Sequence, residues 1–164
     1  MEKGGHKMNE IIIRPGREQF FSDNFVWMMS YVILFVLCFL PMTKYTLLIA
    51  TIFTAIVTLR LFAAFLILHN LSYQITSERI IRTQGVFSKV TDYTELFRVI
   101  DVGHYQTFLQ RIFGVGTIII SSSDRSNPYL AIIGVKEIGE TIKFLQENVK
   151  KQRIENKIHE IPNL

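Results

Sequence analysis

Five basic side chains are the residues of this sequence best suited to chemistry, and that chemistry is the binding of anions. They lie in segments of alternating polarity and are Arg79, Arg82, Lys89, Arg98 and Arg111. Cations at the ends of paired strands can face anionic groups such as lipid headgroups. The first four are therefore the candidates for an anion- or lipid-binding role, in which Arg79 and Lys89 would converge near the loop ends. The alternative, which we favour, is that these side chains are solvated and paired with local carboxylates.

Arg111 and the remaining polar motifs favour structural roles. Arg111 belongs to a short turn that ends at Gly114, and we expect it to hold that turn, with Glu95 and Asp101 as candidate partners. The serine run 121–123 has no accompanying histidine and acid pattern, and it is typical of a strand end. The four histidines have no metal-ligand spacing and are His6, His69, His104 and His159. We expect no catalytic residue, no cofactor and no metal.

The charge balance and the cysteine content narrow the class of protein. The net charge is +4, but acidic residues are interleaved with basic ones, so nucleic acid is not an expected partner. The one cysteine, Cys38, lies in an apolar run and cannot form a disulfide within the chain. A polar segment without cysteine fits the reducing cytoplasm.

Two long apolar runs predict a transmembrane helical hairpin over residues 24–70. Between Phe25 and Leu68 the only charged residues are Lys44 and Arg60. A helix of about 20 residues matches the thickness of a bilayer core. We expect a first span over 24–43, with Ser22–Asn24 as its N-terminal cap, and a second over 45–69, with a short connection formed by Pro41 and the stretch around it. A cleaved signal peptide and a buried hairpin of a soluble protein are the less favoured alternatives.

The basic residues around the hairpin predict its orientation in the membrane, and one further charge lies within a span. Basic residues flank the spans, whereas the connection between them carries only Lys44, so both termini are expected in the cytoplasm. Arg60 lies within the second span. It can extend its charge to the membrane surface, or it can make an intramembrane polar contact with a side chain or a lipid headgroup.

The rest of the chain predicts a small β-rich domain. Residues 71–76 alternate in polarity as a half-buried strand does. Further strands are expected over 79–86, 89–93, 97–105, 115–122 and 129–133, with a helical turn over 108–113. From Val135 the spacing of apolar residues becomes helical, which predicts an amphipathic C-terminal helix that covers an open end of the strands. The predicted boundaries are an N-terminal segment 1–23, the hairpin 24–70, the domain 71–150 and a charged tail 151–164.

The order of motifs in this region resembles the bacterial pleckstrin-homology-like domain of membrane proteins. The similar elements are Tyr73-x-Ile75-Thr76-x-x-Arg79-Ile80, Arg82-x-x-Gly85, Glu95-Leu96, Arg98-Val99-Ile100-Asp101-Val102, Leu109-Gln110-Arg111-Ile112-Phe113-Gly114-x-Gly116 and Ser121-Ser122-Ser123. The resemblance implies an α+β chain: a transmembrane hairpin, then a PH-like antiparallel barrel or sandwich with a C-terminal helix. It implies no enzymatic activity.

These observations predict a non-enzymatic binding or scaffold protein at the inner face of the cytoplasmic membrane. Its expected partners are the bilayer and either another protein or further copies of itself. The alternative is a sensor of anionic lipid headgroups that acts through the basic strand ends. An enzyme is the least favoured class, because no paired catalytic groups occur.

Overall fold

The computed structural model describes residues 10–37, 43–124 and 128–156. The elements are β1 (Glu10–Ile13), α1 (Arg17–Leu37), α2 (Lys44–His69), β2 (Ser72–Thr76), β3 (Arg79–Gln84), β4 (Val90–Glu95), a single 3-10 turn (Leu96–Arg98), β5 (Val99–Tyr105), α3 (Phe108–Ile112), β6 (Gly116–Ser122), β7 (Tyr129–Val135) and α4 (Ile138–Glu155). We call α1 and α2 the helical hairpin, and the strands with α3 and α4 the β-domain.

The first strand of the β-domain precedes the helical hairpin in the chain. β1 pairs antiparallel with β2, from Glu10 opposite Thr76 to Ile13 opposite Tyr73. The hairpin is therefore inserted between two neighbouring strands of one sheet. The sequence predicts residues 1–23 outside the domain, and the structure corrects this. Glu10-Ile11-Ile12-Ile13 gives no strand signal because it does not alternate in polarity: the exposed Ile12 is as apolar as the buried Ile13.

Two antiparallel sheets make up the β-domain. One has the order β1-β2-β3-β4 and the other the order β5-β6-β7, and the two do not close into a barrel. Of the two predicted architectures, the sandwich is the one found, and the α+β class is confirmed. Side chains from both sheets form one core, including Tyr73, Ile75, Ile80, Ile118, Ile120 and Ile132, all almost completely buried. Burial of such apolar side chains is the main stabilising contribution to a sandwich.

The C-terminal helix covers this core as the helical spacing of its apolar residues predicts. Leu145 and Val149 are buried in the core, and Ile138 and Ile142 pack against its margin. Arg153 extends the contact, because its Nη2 donates a hydrogen bond to the backbone oxygen of Val99 at the start of β5. α4 thus covers the side on which the chain passes from one sheet to the other.

The helical hairpin differs from its prediction mainly at the start of α1. The helix begins at Arg17, so Ser22–Asn24, expected as its N-terminal cap, lie within it. Pro15-Gly16 separates β1 from α1, and no helix-breaking residue follows until the described part of the helix ends. α2 is capped by Thr43, whose Oγ1 accepts from the backbone N of Thr46 at 3.4 Å. Cys38 and Pro41 lie outside the described residues.

The β-domain has a proximal end, next to the hairpin, and a distal end. β1 ends and β2 begins beside the hairpin, so the turn 77–78 between β2 and β3 is distal. β3 runs back toward the hairpin. Its residue Thr83 pairs with Ser72, the first residue of β2, and the strand continues beyond this pair. The β3–β4 turn (residues 85–89) is therefore proximal. α3 is also proximal, because it contacts α1.

Candidate functional site

The predicted cations do not form one site. Arg79 lies opposite Glu95 at the distal end of the β3–β4 pair, whereas Lys89 directly precedes Val90, which pairs with Gln84 at the proximal end. Five residues of strand separate the two levels, or about 17 Å at about 3.3 Å per residue. The predicted convergence of Arg79 and Lys89 is wrong, because the first residues of two consecutive antiparallel strands lie at opposite ends.

The distal cations are held by carboxylates at the surface. Arg98 approaches Glu95 (Nε–Oε2 3.4 Å) and Asp124 (Nη1–Oδ2 3.6 Å), and Arg79 lies 3.7 Å from the carboxylate of Glu78. Exposed pairs of this kind contribute little stability, about 0–1 kcal/mol each. The charges at the distal end are therefore compensated, which agrees with the alternative that these side chains are solvated and paired with local carboxylates.

Glu95 and Asp101 are not the partners of Arg111 that the sequence suggested. Glu95 pairs with Arg98, and Asp101 accepts from the backbone N of Val102 at 2.8 Å. Arg111 lies on α3 at the proximal end and is exposed.

Arg82 occupies the inner side of its sheet. It lies opposite the buried Tyr73, so the two side chains share a face of the β2–β3 pair. Its Nη2 donates to Oε1 of Gln84 at 2.6 Å, while its Nε is buried with no hydrogen-bond partner in the described part of the chain. Burial raises the pKa of the Tyr73 phenol, and the positive charge of Arg82 acts in the opposite direction. Arg82 is thus half-buried on the inner face of its sheet.

Buried amide groups connect the β-domain to α1. Gln110 belongs to the capping box of α3, in which its Oε1 accepts from the backbone N of Thr107 at 3.0 Å. Its Nε2 lies within hydrogen-bond distance of Thr117 Oγ1 (3.0 Å) and of Gln19 Oε1 (3.2 Å). Gln19 in turn donates to the carboxylate of Asp23. Because Gln19, Gln110 and Thr117 are all buried, these hydrogen bonds fix the orientation of α1 against the domain.

A second contact of α1 with the domain involves β7. Gly134 has φ +73°, and a Cβ atom there would lie 2.8 Å from Cα of Pro15. The absence of a side chain therefore lets the link between β1 and α1 approach β7 closely. Beside it, Lys136 Nζ and Glu18 Oε1 form an ion pair at 2.8 Å. The start of α1 is held at two neighbouring places.

Arg60 has partners on the other helix of the hairpin. Its Nη1 donates to Oδ1 of Asn24 at 3.0 Å, and its Cζ lies 4.4 Å from the centroid of the Trp27 ring. Asn24 and Trp27 are three residues apart, so they share a face of α1. The structure thus has the polar side-chain contact that the sequence analysis left open. Asn24 is the functional residue that the sequence does not reveal, because its position before the apolar run is typical of a helix cap.

A groove of about 520 Å³ runs along the junction of the hairpin and the β-domain. It is lined by the rings of Phe20 and Phe65 and by the charged side chains of Arg17, Glu18 and Lys136. Phe65 stacks on His69 with 5.7 Å between ring centroids. The groove combines apolar rings with charged side chains of both signs, an arrangement that suits amphiphilic molecules better than small polar substrates.

In residues 10–37, 43–124 and 128–156, no three His, Cys, Asp or Glu side chains lie close enough together to bind a metal ion. His104 and His69 lie in separate elements, and His6, His159 and Cys38 fall outside these ranges. Within the described residues, the polar side chains that the structure brings together are amides, hydroxyls, guanidinium groups and surface ion pairs, all of which can bind and position a partner.

Comparison with known proteins gives one positive result. No curated protein and no solved structure matches the chain. A family model described as "Bacterial PH domain" matches residues 28–149. The matched range is well over half of the chain, beginning within α1 and ending near the end of α4. The family resemblance inferred from the sequence is confirmed, and the chain belongs to the bacterial PH domain family.

Proposed function

We propose that this chain is a non-enzymatic, membrane-anchored binding or scaffold protein that acts at the inner face of the cytoplasmic membrane. Its family supports a binding role. α1 and α2 are long and apolar enough to cross a bilayer, with mean hydropathies of 1.2 and 2.2 over their most apolar windows. Only 17% and 6% of these windows are buried, which favours contact with lipid over the core of a soluble protein.

The position of β1 is the observation that carries the proposal. Both ends of the hairpin pass within a few residues into strands that pair with each other, β1 before it and β2 after it. Cleavage after α1, as in a signal peptide, would remove a strand from the sheet. The double connection, reinforced by Gln19 and Lys136, holds the domain in a fixed orientation at the membrane. A rigidly mounted domain suits a scaffold better than a tethered catalyst.

The outer face of the β5-β6-β7 sheet supports a protein partner or a second copy. Gly103, Ile119 and Ala131 form one row across the three strands, and all three are exposed. Tyr129 continues the exposed surface on β7. The exposed Asp101 lies in the same row as Tyr129, so the face combines apolar side chains with a carboxylate, and such a mixed surface is typical of protein interfaces.

In-cell photo-crosslinking of the full chain tests this proposal. A photoreactive residue replaces Ala131 on that face, and a matched one replaces the exposed Glu147 on α4. We expect specific crosslinks in the membrane fraction from position 131 and none from position 147, and their mass separates a partner from a second copy. Crosslinks absent at 131 or equal at both positions, or a chain found in the soluble fraction, would contradict the proposal.

A second candidate function, the sensing of anionic headgroups, is favoured by Lys89 alone among the predicted cations. Lys89 is exposed at the proximal end, whereas Arg79 and Arg98 lie at the distal end. In liposomes that contain the full-length protein and anionic lipid, Lys89→Glu should weaken salt-sensitive contact of the domain with the surface. Arg79→Glu is the control. An equal effect of the two substitutions would count against this function.

A further inference from the structure

Two separate segments of the β-domain expose large apolar side chains. Phe87 is fully exposed in the β3–β4 turn, and Val90 beside it is about half exposed. In α3, Phe108 and Ile112 are exposed to 78% and 61%. Apolar side chains gathered on a surface in this way mark a contact with another apolar phase.

The β3–β4 turn is built to present its tip. It spans residues 85–89 between the paired residues Gln84 and Val90. Gly85 has φ +125°, and a Cβ there would lie 1.8 Å from the backbone oxygen of Ser88, so only glycine permits this tight path. The turn therefore places Phe87 at its end, away from the sheet.

Both apolar segments lie at the proximal end. β3 runs past Ser72, the residue with which β2 begins, and the turn extends further in the same direction. α3 is held beside the start of α1 by the hydrogen bond between Gln110 and Gln19. The two segments thus lie at the end of the domain from which both helices of the hairpin emerge.

Aromatic contacts locate the membrane boundary at the level of α3. Phe20 and Phe65 meet edge to face with 6.0 Å between their centroids, which places them at one height on α1 and α2. From Phe65 back to the start of α2 is about 30 Å of helix at about 1.5 Å per residue, the thickness of a bilayer core. Phe113, next to α3, stacks on Phe21 at 6.1 Å. Aromatic rings are enriched at this height in membrane proteins.

We propose that the β3–β4 turn and α3 insert their apolar side chains into the interfacial layer of the same bilayer that the hairpin spans. This inference rests on the membrane anchoring proposed above. Phe87 and Phe108 enter the boundary between headgroups and acyl chains, and the adjacent Lys89 and Arg111 face the phosphates, as in interfacial segments of other proteins. The domain then contacts the membrane at three places, and its distal end is directed into the cytoplasm.

Site-specific fluorescence in proteoliposomes tests the inference on the full chain. In a Cys38→Ser background, single cysteines replace Phe87, Phe108, Ile56 in the middle of α2, or Glu78 in the distal turn. Each is labelled with an environment-sensitive dye, in vesicles that contain lipids with nitroxides at the headgroup or in the acyl chain. We expect blue-shifted emission and quenching by shallow nitroxides at positions 87 and 108, quenching by deep nitroxides at position 56, and a fully aqueous signal at position 78.

The four positions separate the failure of this inference from failure of the proposed function. An aqueous probe at position 56 would show that α2 does not span the membrane and would overturn both. If position 56 lies in lipid while positions 87 and 108 resemble position 78, the anchoring stands, and the proximal apolar edge is left as a surface for a protein partner. Quenching at only one of positions 87 and 108 also overturns the two-segment insertion.

Discussion

The side chain of Arg60 on α2 donates a hydrogen bond to the side chain of Asn24 on α1, with 3.0 Å between Nη1 and Oδ1. The Trp27 ring lies against the same guanidinium. Asn24 is itself oriented by a hydrogen bond from its Nδ2 to the backbone oxygen of Phe20. A charge in an apolar helix pair requires such partners, because an uncompensated charge in a medium of low polarity is strongly unfavourable.

Asn24→Leu should destabilise the hairpin more than Arg60→Leu does. The first change leaves a guanidinium without its acceptor, whereas the second leaves only a neutral amide, and hydrogen bonds to charged groups contribute about 1.5–3 kcal/mol. The double variant should be closer to the wild type than Asn24→Leu is. Unfolding in mixed micelles, followed by the emission of Trp27, the single tryptophan, measures all three. Strictly additive effects would mean that the two residues are not coupled.

Ile13→Asp should unfold the β-domain, and Ile12→Asp should be tolerated. The two residues are neighbours on β1, but Ile13 is 8% exposed and Ile12 is 59% exposed. Burying a carboxylate in the core costs several kcal/mol, whereas the outer position leaves it in water. Amide hydrogen exchange of β2 in the full-length protein gives the measurement. Equal protection in the two variants would contradict the pairing of β1 with β2.

The sequence could predict the elements whose residues follow one period for long enough. The alternation of 71–76 and the helical spacing of Ile138, Leu145 and Val149 predicted β2 and α4, because burial on one face imposes each pattern. β1 escaped notice because its three consecutive isoleucines do not alternate in polarity, although Ile12 is exposed and Ile13 is buried. A domain cut at residue 71 would lack that strand, so experiments on this protein need the full chain.

Long-range partners were beyond the reach of sequence periodicity. The Thr107-x-x-Gln110 spacing indicates a capping box, but nothing in it indicates that Gln110 also meets Gln19. Arg60 was conspicuous as a lone charge, whereas its partner Asn24 resembled a cap. Turn residues indicate where strands begin. Whether Arg79 and Lys89 lie at the same end of the sheet depends also on the direction of each strand, and the two residues lie at opposite ends.

Gln110→Met should loosen the attachment of α1 to the β-domain. Methionine has a similar shape but cannot replace the amide, so Thr107 N loses its acceptor and Oε1 of the buried Gln19 loses its donor. A buried polar group left unpaired costs about 1–3 kcal/mol. The exposed Gln146→Met on α4 is the matched control. Denaturant unfolding of both variants in micelles measures the loss, and the same midpoint for both would mean that the amide contacts add no stability.

Tyr73 should make the β-domain less stable at high pH. Burial raises the pKa of its phenol above the ordinary value of 10.0. Between that value and the raised pKa the folded state binds more protons than the unfolded state, so the free energy of unfolding falls as the pH rises. Tyr73→Phe should flatten this decline above pH 10 relative to the wild type. Unfolding midpoints measured from about pH 9 upward provide the slope, and an unchanged slope in Tyr73→Phe would refute the assignment.

Gly134→Ala should be the most damaging of three glycine substitutions. At Gly103 a Cβ meets nothing within 4 Å, so Gly103→Ala should change stability by less than about 0.5 kcal/mol. Gly114 also has free space but a φ of +68°, so an alanine there adds about 1–2 kcal/mol of backbone strain.

Gly134 combines the same kind of strain, at φ +73°, with Pro15 atoms 2.8 and 2.9 Å from the added Cβ. The backbones of Gly134 and Pro15 cannot move apart without moving the link between β1 and α1. The loss of stability from Gly134→Ala should therefore exceed that from Gly114→Ala. Thermal unfolding of the three variants in micelles ranks them. Equal losses for Gly114→Ala and Gly134→Ala would show that strain alone matters there, and that the close approach of Pro15 to β7 does not hold α1 in place.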